Sequence, residues 1–148
     1  MTKTLNGRQK ARRLGVQALY CWAMSDNALG TLLDDIFETS ESEEEPVPVF
    51  FQGFDEGYLN RLIRKLPTHV SEIDNAMVPF LSRSIEALNP VEHAILRIAF
   101  YELIYCPDVP YKVVINEAID LAKEFGAEQS HKFVNGVLDK AARSLRSK

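Results

Sequence analysis

The stretch PVEHAILRIAFYELIY, residues 90–105, constrains this chain more than any other. Only Glu92, His93, Arg97 and Glu102 interrupt a surface that is apolar on nearly every side. A helix of that kind must be surrounded, so it predicts the buried centre of a bundle. Its start is well marked. Asn89 can cap, Pro90 takes the first helical position, and Glu92 falls where a capping box places an acid. Cys106-Pro107 ends it. Arg97, inside such a helix, calls for Glu102 or another internal acid as partner. His93 reads as a satisfied structural histidine.

The flanking segments carry helical stripes. Residues 8–25 place Ala11, Leu14, Ala18, Cys21 and Trp22 on one side, with Arg8 and Arg12 sharing a face. Residues 28–38 show Leu29, Leu32, Leu33, Ile36 and Phe37 at full amphipathic spacing. SESEEEPVP then predicts an exposed acidic loop. The pattern resumes over 49–66 with Phe51, Phe54, Tyr58 and Leu62, bounded by Pro67, and over 68–84 with Val70, Ile73, Met77 and Leu81. Beyond Pro110, Val114, Ala118, Leu121 and Phe125 form a stripe that stops at Gly126, a C-terminal cap. A last helix from about Ser130 to Leu145 turns Phe133, Val137, Leu138 and Ala141 inward. No segment alternates with period two. The fold class is all-α with about seven helices. The 148 residues suit one domain, divided into helical subdomains at about 1–84 and 85–148.

Charge narrows the function. The net charge of −4 excludes a uniformly basic coat for nucleic acid. The distribution is uneven, however. Lys3, Arg8, Lys10, Arg12 and Arg13 precede any acid, and Lys140, Arg143, Arg146 and Lys148 close the chain without one. The second cluster reads equally as a solvated or frayed tail. No apolar run approaches the roughly 18 residues that span a bilayer, and the basic start lacks the apolar core of a secretory signal. Cys21 and Cys106 lie far apart, which favours buried thiols in a reducing cytoplasm over a disulfide.

Catalytic chemistry finds no foothold. There is no phosphate-binding glycine loop, no pair of histidines at metal spacing among His69, His93 and His131, and no C-x-x-C. Cys21 lies on the apolar stripe of the first helix and reads as a small core residue. No metal and no cofactor is expected, and a binding module is favoured over an enzyme.

Three stretches together resemble the NusB family of transcription antitermination factors. They are ARRLGVQALYCW (11–22), VEHAILRIAFYEL (91–103) and VPYKVVINEAIDLAKEFGAEQSHKFVNGVLDKAA (109–142), the last being the most specific. The resemblance implies two small helical bundles packed together. It also implies a cytoplasmic protein that binds boxA-type single-stranded leader RNA of ribosomal RNA operons. That binding occurs as a heterodimer with a small-subunit ribosomal protein, NusE, within a larger assembly of other Nus factors and RNA polymerase. A role in ribosomal RNA maturation is likewise implied, and some members form homodimers.

Single-stranded RNA is held by cations on phosphates and by aromatic faces on bases. Under this reading Arg8, Lys10, Arg12 and Arg13 supply charge, and Tyr20 offers a ring or hydroxyl. The resemblance adds the segment from Phe125 to Phe133, with Lys123, Gln129, Ser130 and Lys132. The N–H groups of a helix beginning at Ser130 would suit a phosphate. Gln129 stands where the family often has an acid, so a repulsive charge is absent and RNA affinity is expected to be higher. Phe125 and Phe133 fit core packing equally well, and packing would also account for Asn116, Asn135 and Gly136. For the ribosomal protein the resemblance points to Glu92 and Glu86, and a capping role for Glu92 is compatible. Two other readings stay open: a helical adaptor without RNA, and an enzyme with a scattered site.

Overall fold

The first helix opens on a reciprocal cap. Asn6 Oδ1 accepts from the Gln9 amide at 2.8 Å, and Gln9 Oε1 accepts from the Asn6 amide at 2.9 Å. This N-x-x-Q box satisfies two amide donors at once and starts α1, Gly7–Met24. The computed structural model describes residues 5–24 and 53–146. The helix predicted over 28–38 and the acidic loop near 40–48 lie outside the described residues.

The chain divides into two compact units, Met1–Pro67 and Thr68–Lys148. Segment 68–84 thus falls in the second unit, whereas the division expected from sequence puts it in the first. In the N-terminal unit, α2 spans Glu56–Asn60 and is capped by Asp55, whose Oδ1 accepts from the Tyr58 amide at 2.9 Å. It continues as a π-helical stretch, Arg61–Lys65, and a 3-10 turn, Leu66–His69, within which the unit ends. Pro67 marks a boundary as expected: it sits where the hydrogen-bonding pattern tightens, and the first unit ends there. Ala11, Leu14, Val16 and Leu19 of α1 are buried, as are Tyr58, Leu59, Leu62 and Ile63. Gly7 lets the backbones meet. Its carbonyl accepts from the Asp55 amide at 3.0 Å, and a Cβ there would lie 3.3 Å from both that nitrogen and the Gly53 oxygen.

The C-terminal unit holds α3 (Val70–Met77), α4 (Pro90–Tyr105), α5 (Tyr111–Phe125) and α6 (Ser130–Leu145). Helix α4 packs against α3, α5 and α6, which is the central position its apolar surface demands. Ile95, Leu96, Ile98 and Phe100 are all but fully buried there. The helix expected over 68–84 ends at Met77, because Pro79 forces a 3-10 turn at Val78–Phe80. The described residues contain no strand, and five of their α-helices reach eight residues or more. The fold class is all-α.

One sequence reading of a helix end is corrected and another holds. Asn89 does cap α4, accepting from the Val91 amide at 2.8 Å, but Glu92 does not return to close a capping box. Gly126 does cap α5, its amide donating to the Ala122 oxygen at 2.9 Å, with φ −90° and ψ 177°, extended rather than left-handed. Close approach explains the glycine instead: a Cβ there would lie 2.7 Å from the Ala122 oxygen and 2.8 Å from the Ser130 Cβ.

Arg146 is no frayed tail. Its Nε donates to the Leu103 oxygen at 2.8 Å, its Nη1 to the Val109 oxygen at 2.9 Å, and its Nη2 to the Glu102 and Cys106 oxygens at 3.0 and 3.1 Å. One guanidinium thus bonds four carbonyls at the end of α4 and in the turn after it, two of which, Glu102 and Cys106, also accept from the Cys106 and Val109 amides. Arg143, by contrast, is an exposed side chain paired with Asp139 at 3.3 Å.

Candidate nucleic-acid interface

The basic start of α1 separates by burial. Arg8 and Lys10 are partly exposed, whereas Arg12 and Arg13 are 3% and 5% exposed. Residues 11–16 are all buried, so α1 is enclosed around its whole circumference there, and Arg12 and Arg13 are interior although they point in different directions. Arg13 Nη1 donates to the Gln9 oxygen at 3.0 Å. Arg12 lies over the buried Tyr58 ring, 5.3 Å from its centroid, with Arg8 at 4.6 Å and Arg61 at 5.6 Å. Arg8 also sits 4.0 Å from Asp55 Oδ2. The expected four-cation phosphate track therefore reduces to Arg8 and Lys10 at the surface, and Arg12 and Arg13 are corrected to interior residues. Sequence reasoning misses Tyr58 and Arg61, because only the fold brings them to α1. Tyr20 is exposed, as an available ring requires, and so is Cys21, which is not the core residue expected. Cys106 is buried.

In the C-terminal unit the corner between α5 and α6 collects the remaining candidates. Lys123, Gln129 and Lys132 are exposed, while Phe125 and Phe133 are half-buried. Ser130 is 3% exposed, and its hydroxyl accepts from the Ala127 amide at 3.1 Å and donates to Glu92 Oε2 at 2.8 Å. The Ser130 amide bonds the Ala127 oxygen, and the Lys132 and Phe133 amides bond the Gln129 oxygen. These donors are used within the corner, which leaves the phosphate site expected at this helix start with fewer open amides.

Glu92 is corrected likewise. It is 5% exposed and holds Ser130, 38 residues downstream, instead of facing a partner. Arg83 Nη1 lies 3.6 Å from its other oxygen. Glu86 is exposed. Asn116, Asn135 and Gly136 are exposed too, and a Cβ on Gly136 would meet nothing within 4 Å, so packing inside this chain does not explain them.

His93 and Arg97 both bind Asp74. Arg97 Nε and Nη2 donate at 3.1 and 2.8 Å, and His93 Nε2 lies 3.0 Å from Oδ1. Burial pushes the Asp74 carboxyl up. Hydrogen bonds from His93 and Arg97, and the Arg97 charge, outweigh that and hold it at about 2. The internal acid is thus Asp74 on α3. A depression of about 310 Å³ is lined by Tyr111, Asp139, Ala142, Arg143 and Arg146, and both its guanidiniums are engaged as described. No helix among the described residues is long and apolar enough to cross a membrane.

The fold defines a class: an all-helical protein of two small units, one built around a buried central helix. The chain belongs to the NusB family, whose model matches residues 9–143. It is 51% identical over 139 residues to the transcription antitermination protein NusB of Pseudoalteromonas atlantica, covering 94% of this chain and 93% of that protein. It is 48% identical over 146 residues to the NusB of Actinobacillus succinogenes, covering 99% and 96%. A solved structure of the antitermination factors NusB and NusE in complex with dsRNA superposes with a TM-score of 0.75 at 27% identity, covering 92% of this chain and 96% of that one.

Proposed function

We propose that this chain is an RNA-binding transcription antitermination factor that acts by binding and not by catalysis. It works in the cytoplasm on boxA-type leader RNA of ribosomal RNA operons. It pairs with a small-subunit ribosomal protein of the NusE kind and joins other Nus factors on RNA polymerase. The observation that carries this reading is the likeness, over nearly the whole chain, to the solved NusB–NusE–RNA complex.

The surface chemistry supports it unit by unit. Arg8, Lys10 and Tyr20 offer charge and a ring on α1. Lys123, Gln129 and Lys132 offer donors beside the half-buried Phe125 and Phe133 at the α5–α6 corner. Buried Arg12, Arg13 and Ser130 shape these faces from beneath. Exposed Glu86 is the acid left for a basic partner, and Glu92 acts from inside.

A gel shift with boxA-like RNA, with and without the ribosomal protein, tests the reading. Few surface cations give weak binding alone. A basic partner extends the track, so the pair binds more tightly and with a steeper salt dependence. RNA affinity that does not rise on adding the partner overturns the heterodimer. Partner binding without any RNA binding turns the reading to a protein adaptor.

A further inference from the structure

Arg83 is absent from the basic clusters that the sequence displays, yet it is the cation most tightly placed at the α5–α6 corner. Its guanidinium lies over the Phe133 ring, 4.0 Å from the centroid. The same group approaches Glu92 Oε1 at 3.6 Å. The two ends of that ion pair differ sharply in exposure: the Glu92 side chain is 7% exposed, the Arg83 side chain 42%. Glu92 Oε2 is taken by Ser130, while Oε1 is buried without a hydrogen bond.

A buried carboxylate oxygen without a donor is costly unless a charge compensates it. Arg83 supplies the charge but stops short of hydrogen-bonding distance, because the ring holds its plane. Ring and carboxylate together fix a flexible side chain in one posture. One face of the guanidinium covers Phe133, Nη1 approaches Glu92, and the side chain keeps 42% of its surface exposed. Ser82 and Ser84 beside it are exposed, as are Gln129 and Lys132 at the start of α6.

The geometry points to Arg83 as a base-stacking residue, its open face receiving an unpaired base of single-stranded RNA. Planar guanidinium groups stack on bases as aromatic rings do, and carry a charge the phosphates favour. A group already immobilised loses little rotamer entropy on binding. Glu92 is then a positioning residue, holding Arg83 through charge and the corner through Ser130. This inference rests on the RNA-binding reading above.

The test uses the full chain with its ribosomal partner and a single-stranded RNA oligonucleotide carrying 2-aminopurine at successive positions. Arg83→Ala should weaken binding about tenfold, the effect of losing one stacked base. Arg83→Lys keeps the charge and loses the plane, so it should recover only a small part of that loss. At one position the 2-aminopurine quenching seen with wild type should vanish in both variants. Far-UV circular dichroism and a thermal melt verify that both are folded at the assay temperature, since Arg83→Ala also removes the charge beside buried Glu92. A blunt duplex RNA should bind the variants and wild type alike. Wild-type affinity in folded Arg83→Ala overturns the inference and leaves the RNA-binding reading standing. So does full rescue by lysine, which reduces Arg83 to a charge, or an equal loss on duplex RNA. A wild-type complex that binds neither RNA overturns both.

Discussion

Asp74 shows how much one side chain can hold. It is clamped between His93 and Arg97, and its carboxyl is depressed from 3.8 to about 2. A depressed carboxyl stabilises the fold above its unfolded value and loses that contribution as pH falls through its folded value. Stability should therefore drop by about 2 kcal/mol as pH falls from above 4 to 2, and Asp74→Asn should flatten that part of the profile. Urea midpoints measured across this range check it; a mutant profile parallel to wild type refutes it. Glycines make a second test at this scale. Gly136 lies inside α6 with open space around it, so Gly136→Ala should stabilise by about 0.5–1 kcal/mol. Gly126→Ala should destabilise, since its Cβ would press on the Ala122 oxygen. Thermal melts of the pair should move in opposite directions.

At the scale of elements, the apolar stripes are legible in the sequence, because a helix repeats its face every three or four residues. Residues 90–105 announce a central helix, and Asn89 announces its cap. Partners distant in sequence are not legible. Glu92 meets Ser130 38 residues away, and Arg146 meets carbonyls 37 to 44 residues back, so no local window contains both ends. Burial of neighbouring cations is equally hidden. Arg12 and Arg13 look like a solvent-facing pair in one dimension, and only the packing around residues 11–16 of α1 buries both. The central helix yields its own prediction. Ile98→Ala should cost roughly 2–5 kcal/mol, as large-to-small changes in a packed core do. Its far end should be as sensitive. Arg146→Ala removes four hydrogen bonds to carbonyls around that end and should cost about 2 kcal/mol. Lysine, lacking the planar fork, should not rescue it. Denaturant titration of both variants gives the numbers.

For the whole molecule, burial revises which basic residues should set the salt dependence of RNA binding. Removing one cation from a phosphate of single-stranded RNA flattens the slope of log K against log salt by about 0.7. Replacing Arg8 and Lys10 by alanine should show that flattening while the protein stays folded. Replacing Arg12 and Arg13 should first appear as reduced stability, because both are interior. The opposite ranking in a filter-binding series would return the inner pair to the surface. Glu86→Lys should weaken the ribosomal partner without unfolding the chain, and Glu92→Lys should do both.

Cys106 lies at the turn that the Arg146 guanidinium clasps, with its thiol shut away from solvent, whereas Cys21 is exposed. The two thiols therefore keep different time. A maleimide added to the native protein should modify Cys21 at once and Cys106 only during excursions that loosen the clasp. Without any engineered probe, the lag between the two adducts in a mass spectrum becomes a stopwatch for local opening at the end of the central helix. Arg146→Ala should run that stopwatch faster.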